Sequence, residues 1–202
     1  MGIILDSMFR VWRSEAGDPD VLGWAITVAY FVAAGLCART ALAARRAPAD
    51  LPEGDRPATW WTLAAGLVLL GFNKQLDLQS FVREIGRRFV NAIGLDAQWR
   101  WFGRAFVLLM GLFLLRVLWV AARRVRLRTA RHRALLIGLA LLACFAVIRA
   151  GTYVPVLREI DLHHLKLLHF TLELGGVVVL GASAFATRQR LVRHHSSSIS
   201  SA

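Results

Sequence analysis

Five stretches of this chain are candidates to cross a lipid bilayer as helices. A membrane-spanning helix needs about 20 such residues, because each residue adds about 1.5 Å and the hydrocarbon core is about 30 Å thick. The composition agrees, since 56% of the 202 residues are hydrophobic. We therefore predict an all-α fold, an integral membrane bundle of five transmembrane helices, over approximately residues 21–42, 59–79, 101–122, 134–154 and 164–187.

The segments outside these runs have their own patterns. Residues 1–20 combine apolar side chains at helical spacing with two arginines, which predicts an N-terminal interfacial segment. Between the second and third spans, apolar residues recur at three- and four-residue steps from Leu78 to Ile93, with arginines on the other face. This pattern predicts a short amphipathic surface helix. Residues 21–187 then form the five-helix transmembrane domain, and residues 188–202 are predicted to be a basic, Ser-rich flexible tail.

The formal net charge of +12 predicts how the chain lies in the membrane. The arginines stand mostly at the ends of apolar runs, so we attribute them to topology and lipid headgroups and expect no nucleic acid partner. With five spans, the segments at and between the span ends carry 13 arginines on the side of the membrane that holds the C-terminus and 7 on the opposite side. Because cytoplasmic connections are enriched in Lys and Arg, we expect the N-terminus outside and the C-terminus in the cytoplasm.

A polar segment follows the apolar part of the second span. That apolar part, residues 59–72, covers only about 21 Å, so the span is complete only if the polar residues lie at membrane depth. Counted from the cytoplasmic edge, the unusual polar residues of four spans reach a common depth of roughly 21–28 Å. Ionisable groups at such depth are costly and usually functional. The candidate ligand-binding residues are Asn73, Lys74, Gln75, Asp77, Gln79, Arg104, Arg149, Tyr153, Lys166, His169 and Glu173.

Helical spacing also predicts which face of the fifth span is inside. Lys166, His169 and Glu173 follow i, i+3, i+7 and share one stripe. Gly176 and Ser183 continue the stripe, and small residues allow close helix contact, so we expect this face to pack inward. Buried ion pairs such as Asp77 with Arg149 or Glu173 with Lys166 would neutralise the charges and fix helix register without any ligand.

The residue types in this layer favour recognition of a small molecule. Four cations, several amides and a tyrosine suit an anionic or amphiphilic compound, such as a lipid-linked substrate, a transported solute or a quinone. The layer could equally hold a helix of a partner membrane protein, in addition to its contacts with the lipid bilayer. The residue types do not specify a cofactor and leave catalytic activity open.

Two kinds of chemistry are weaker alternatives. A membrane-embedded metal-dependent hydrolase at the outer surface would use ligands of the right type, among Asp77, Asp161, His163, His164, His169 and Glu173. No HExxH motif occurs, and His164 and His169 fall on different helix faces, so we assign no metal ligand. Haem normally takes histidines from two facing helices, whereas these histidines all stand on or just before the fifth span.

Two segments of the chain resemble segments of other proteins. The run from Gly71 to Gln79, followed downstream by a histidine-bearing helix with the segment Leu172 to Gly176, resembles uncharacterised bacterial multi-pass inner-membrane proteins. The likeness covers mainly the second and fifth spans. It implies a bacterial inner membrane and transfers no activity.

Overall fold

The fold is helical throughout the part of the chain that the structure describes. The computed structural model describes residues 21–47, 51–76, 99–124, 130–151 and 162–200, together with isolated positions between 85 and 94. Its helices are α1 (Val21–Arg45), a short 3-10 helix (Glu53–Asp55), α2 (Pro57–Leu76), α3 (Trp99–Arg124), α4 (Ala130–Gly151) and α5 (Leu162–Ser200). The all-α prediction is confirmed, and one long helix stands at each of the five predicted spans.

Three of the five long helices are long and apolar enough to cross a membrane. These segments are Val21–Arg45 in α1, His132–Ala150 in α4 and Leu167–Arg193 in α5. Within the described residues α2 and α3 fall short of that criterion. The described part of the protein is therefore built around three membrane-compatible helices, with two further long helices beside them.

The most extensive helix contacts form a row in the order α2, α1, α5, α4 and α3. α1 packs against both α2 and α5, α5 also packs against α4, and α3 packs against α4. The core lies where α1, α2, α4 and α5 meet, around Trp60, Leu67, Leu135 and Leu180. α3 is at the edge of the row, and its large side chains are mostly exposed.

α1 is central because one of its faces carries small and weakly polar residues. Its buried residues recur at three- and four-residue steps: Gly23, Ile26, Thr27, Tyr30, Ala33, Ala34, Cys37, Thr40, Ala41 and Ala44. Small side chains let neighbouring helices approach closely. The Thr40 hydroxyl donates to the carbonyl of Ala184 at 2.9 Å and thereby ties α1 to α5 in parallel orientation.

The crossing of α4 and α5 is closer still. Gly138 and Gly176 face each other across it, and a Cβ atom built on either glycine would lie 3.1 Å from the carbonyl oxygen of the other. Gly176 and Ser183 are both buried. The prediction that this stripe of the fifth span packs inward is therefore confirmed.

One end of the bundle is closed by a buried polar pair. His132, at the start of α4, lies 3.4 Å from the carboxylate of Asp55, which immediately precedes α2. Both residues are buried, at 6% and 2% exposure. The contact places the first turns of α2 and α4 at the same end of the bundle. We call this the Asp55 end and the opposite end, where α2 finishes, the Lys74 end.

The remaining predictions concern the flanking segments. The interfacial segment at residues 1–20 lies outside the described residues, and the amphipathic surface helix does so almost entirely. α5 continues as helix to Ser200, through most of the stretch predicted to be a flexible tail. No Gly or Pro occurs between residues 188 and 200, so the sequence contains no strong helix terminator there.

Candidate functional site

A buried carboxylate is the centre of the Lys74 end. Glu173, in the first half of α5, is only 2% exposed. The Lys74 ammonium, from the last turn of α2, lies 3.2 Å from its Oε2 atom, and the Tyr30 hydroxyl donates to its Oε1 atom at 3.3 Å. An isolated carboxylate in an apolar interior would be prohibitively costly, whereas a paired and hydrogen-bonded one is tolerated. Three helices therefore meet at one compensated charge.

The surrounding side chains extend this arrangement into a polar cluster. We use this name for Tyr30, Lys74, Gln75, His169 and Glu173. The Gln75 amide donates to the hydroxyl of Thr27 at 3.2 Å, which satisfies a second polar group at the α1–α2 contact. The Lys74 ammonium also lies 5.8 Å from the centre of the Phe170 ring, within cation–π range.

His169 is the member of the cluster with an unsatisfied atom. It lies one turn before Glu173 on α5, and its ring meets the ring of Phe145 on α4 edge-on at 5.9 Å. Its Nε2 atom is buried and has no hydrogen-bond partner in the part of the chain that the structure describes. Arg149 and Lys74 are both close enough to act on the imidazole electrostatically. Since buried polar atoms are nearly always paired, we expect this nitrogen to have a partner beyond the described side chains.

The structure brings together most of the predicted site residues that it describes. Lys74, Gln75, His169 and Glu173 meet in the polar cluster, and Arg149 acts electrostatically on both Tyr30 and His169. Asn73 is half-buried, one residue before Lys74. These residues lie toward one end of the bundle, whereas their common depth in a membrane stays a prediction.

Other predicted residues do not join the cluster or cannot be placed. Arg104 is exposed on α3, where its guanidinium lies 5.0 Å from the ring of Trp101 on the same helix. Because α3 packs against α4 at the edge of the row, the described structure does not bring Arg104 to Glu173. Asp77, Gln79 and Tyr153 lie outside the described residues, as does the side chain of Lys166. The suggested Asp77–Arg149 and Glu173–Lys166 pairs therefore stay predictions.

The contribution of α1 was missed from the sequence. Tyr30 and Thr27 carry no charge and lie within a long apolar run, so neither was selected as a site residue. A signal was nevertheless present: Thr27, Tyr30, Cys37 and Thr40 fall on the same face as the small alanines of α1. A face of small and hydroxyl-bearing residues is typical of a buried helix contact in membranes.

The described side chains of this cluster suit hydrogen bonding and charge recognition. They offer one cation, one carboxylate, a phenol, an amide and an imidazole within an apolar bundle, and Arg149 is a second cation nearby. Among the described residues no group of three or more His, Cys, Asp or Glu side chains could hold a metal ion. Four residues of the metal alternative, Asp77, Asp161, His163 and His164, have side chains outside that part of the chain.

The comparisons with known proteins add no assignment. No protein-family model, curated protein or solved structure matches this chain. The resemblance to bacterial multi-pass inner-membrane proteins therefore stays a prediction, and any statement of function depends on the site itself.

Proposed function

We propose that this chain is a small polytopic membrane protein whose polar cluster binds a small anionic or amphiphilic molecule near the outer face of a bacterial inner membrane. The observation that supports it best is the buried Nε2 atom of His169, which has no partner among the described residues although it lies beside a charged network. A cluster that served only to hold helices together would be expected to satisfy its buried polar atoms internally. A ligand oxygen or hydroxyl at His169 would complete the network.

The chemistry of the neighbours defines the class of ligand. Lys74 and Arg149 favour a group with negative charge or a strongly polarised oxygen, such as a carboxylate, a phosphate or a quinone carbonyl. The rings of Phe145 and Phe170 supply apolar surface beside the polar groups. An amphiphilic molecule matches this combination, because it offers one polar end and an apolar body that fits a membrane bundle.

Mass spectrometry of molecules extracted from the purified protein tests the proposal. We expect the wild-type protein to carry a bound small molecule in near-stoichiometric amount. His169→Ala should retain it about tenfold less well, because a hydrogen bond to a polar or charged partner contributes roughly 1–3 kcal/mol. Leu168→Ala is the matched control, since Leu168 is the adjacent residue and is 45% exposed.

Two outcomes would contradict this proposal. One is a wild-type protein that carries no small molecule, and the other is equal retention by His169→Ala and Leu168→Ala. Elemental analysis of the same samples addresses the alternative of a membrane-embedded metal-dependent hydrolase. Stoichiometric zinc that is lost in His169→Ala would favour that alternative over binding of an organic ligand.

We also propose that all five long helices span the membrane. The polar end of α2 is compatible with membrane depth because Lys74 and Gln75 have protein partners, Glu173 and Thr27. On α3, Trp101 and Trp119 stand 18 residues apart, about 27 Å along a helix, which matches the spacing of two aromatic belts. Between them α3 exposes the large apolar residues Leu108, Leu109, Leu112, Phe113 and Leu115, as a lipid-facing helix does.

Reporter fusions test this topology together with its orientation. With five spans and a cytoplasmic C-terminus, a green fluorescent protein fused after Thr129 or Ser198 should fluoresce. Alkaline phosphatase fused after Ala97 should be active, because that enzyme needs the oxidising exterior. Phosphatase activity of the fusion at Thr129 would show that the orientation is the opposite of the proposed one. Cytoplasmic readouts at both Ala97 and Thr129 would show that α3 does not span the membrane.

A further inference from the structure

Two arginines share one tryptophan ring at the last turns of α3. The guanidinium carbon of Arg123 lies 3.7 Å from the centre of the Trp119 ring, and that of Arg116 lies 4.5 Å from it. Both arginines are exposed, and Trp119 is 45% exposed. Neither arginine forms an ion pair with any residue that the structure describes. The indole ring is therefore a common neighbour of both guanidinium groups.

The sequence around this pair contains no carboxylate that could neutralise it. Between Asp96 and Glu159 the chain has eleven arginines and no Asp, Glu or Lys. α3 and α4 lie within that stretch, and α4 is the only described helix against which α3 packs extensively. Among the described residues, therefore, no carboxylate balances the charge of Arg116 and Arg123.

The location of the pair indicates where a balancing anion would come from. α3 ends at Arg124 and α4 begins at Ala130, so the pair lies toward the Asp55 end of the bundle. Arg45 lies 5.6 Å from the centre of the Trp61 ring at that end, which gives a second Arg–Trp contact there. Tryptophan and arginine together are enriched where a membrane meets water, at the level of lipid phosphates.

We propose that Arg116, Trp119 and Arg123 form a binding site for the phosphodiester headgroup of an anionic phospholipid. The two guanidinium groups donate hydrogen bonds to the phosphate oxygens, and Trp119 keeps both groups oriented toward the headgroup. The apolar residues that precede Arg116 on α3 accompany the acyl chains. This site depends on membrane insertion of α3 and not on the polar cluster around Glu173.

Native mass spectrometry of the full chain in detergent, titrated with dioleoylphosphatidylglycerol, tests the site. The wild-type protein should bind this lipid more tightly than dioleoylphosphatidylcholine, whose headgroup has no net charge. Each arginine near the membrane surface contributes about fivefold to binding of anionic lipid, so Arg116→Gln with Arg123→Gln should weaken it by roughly 25-fold. Replacing both arginines by lysine keeps the charge but not the paired donors and should give an intermediate loss.

Arg104→Gln is the matched control, because Arg104 is an exposed arginine against a tryptophan of the same helix at its other end. It should change phosphatidylglycerol binding by less than one of the two site substitutions alone. Equal losses in Arg104→Gln and the double variant, or equal binding of the two lipids by wild type, would overturn the proposal. Displacement of the lipid by millimolar inorganic phosphate would also overturn it, since that result describes a free-anion site. Circular dichroism confirms that each variant remains helical.

Discussion

Replacing Glu173 by leucine should destabilise the folded protein by about 3–5 kcal/mol, because the substitution leaves the ammonium of Lys74 without its carboxylate in a buried position. Lys74→Met should have a comparable effect, since it strands the carboxylate instead. The double variant Lys74→Met with Glu173→Leu should regain most of the loss, because no charge is then isolated. Thermal unfolding in one detergent, monitored by circular dichroism, measures all four proteins.

The control for this cycle is Leu174→Ala, which changes the neighbouring residue on a face that is 39% exposed. It should have a smaller effect than either single substitution of the ion pair. If the losses in the two single variants simply add in the double variant, Lys74 and Glu173 do not interact and the central contact of the polar cluster is refuted. If the double variant folds but no longer carries the extracted small molecule, the pair contributes to binding as well as to folding.

The sequence predicts the relative heights of these residues along the bundle better than their partners. Helical periodicity places Glu173 and Gly176 on one face, and counting residues at 1.5 Å each places Lys74 and Glu173 at similar heights. Neither rule specifies which helix lies next to which. The sequence therefore suggests Lys166, on the same helix, as a partner for Glu173, whereas Lys74 approaches it from α2.

Arg104 illustrates the same limit of sequence reasoning. Its height along the third span, counted at 1.5 Å per residue, matches that of His169, but height alone does not give the direction in which a side chain points. That direction depends on the order of the helices in the row, where α3 contacts mainly α4. Tyr30 shows the opposite case, since an uncharged residue in an apolar run becomes part of the site only because α1 is central.

Substituting Gly176 by alanine should destabilise the protein by roughly 1–3 kcal/mol through overpacking of the α4–α5 crossing. The added Cβ atom would lie 2.8 Å from the Cγ atom of Leu142 and 3.1 Å from the carbonyl oxygen of Gly138. Neither is the far end of a flexible side chain, so the helices would have to separate. Thermal unfolding in detergent measures the loss, and Gly138→Ala should give a similar value because its surroundings are nearly the mirror of these.

The adjacent glycine separates this steric effect from helix propensity. A Cβ atom on Gly175 would lie 3.9 Å from Leu141, an ordinary contact, so Gly175→Ala should be neutral or stabilise the helix by up to about 1 kcal/mol. In a background of Leu142→Ala, Gly176→Ala should cost less than in wild type, because one of the two clashing groups is removed. Equal effects of Gly175→Ala and Gly176→Ala would mean that the helices are not in close contact here. The inward-facing stripe of α5 would then have to be placed against another neighbour.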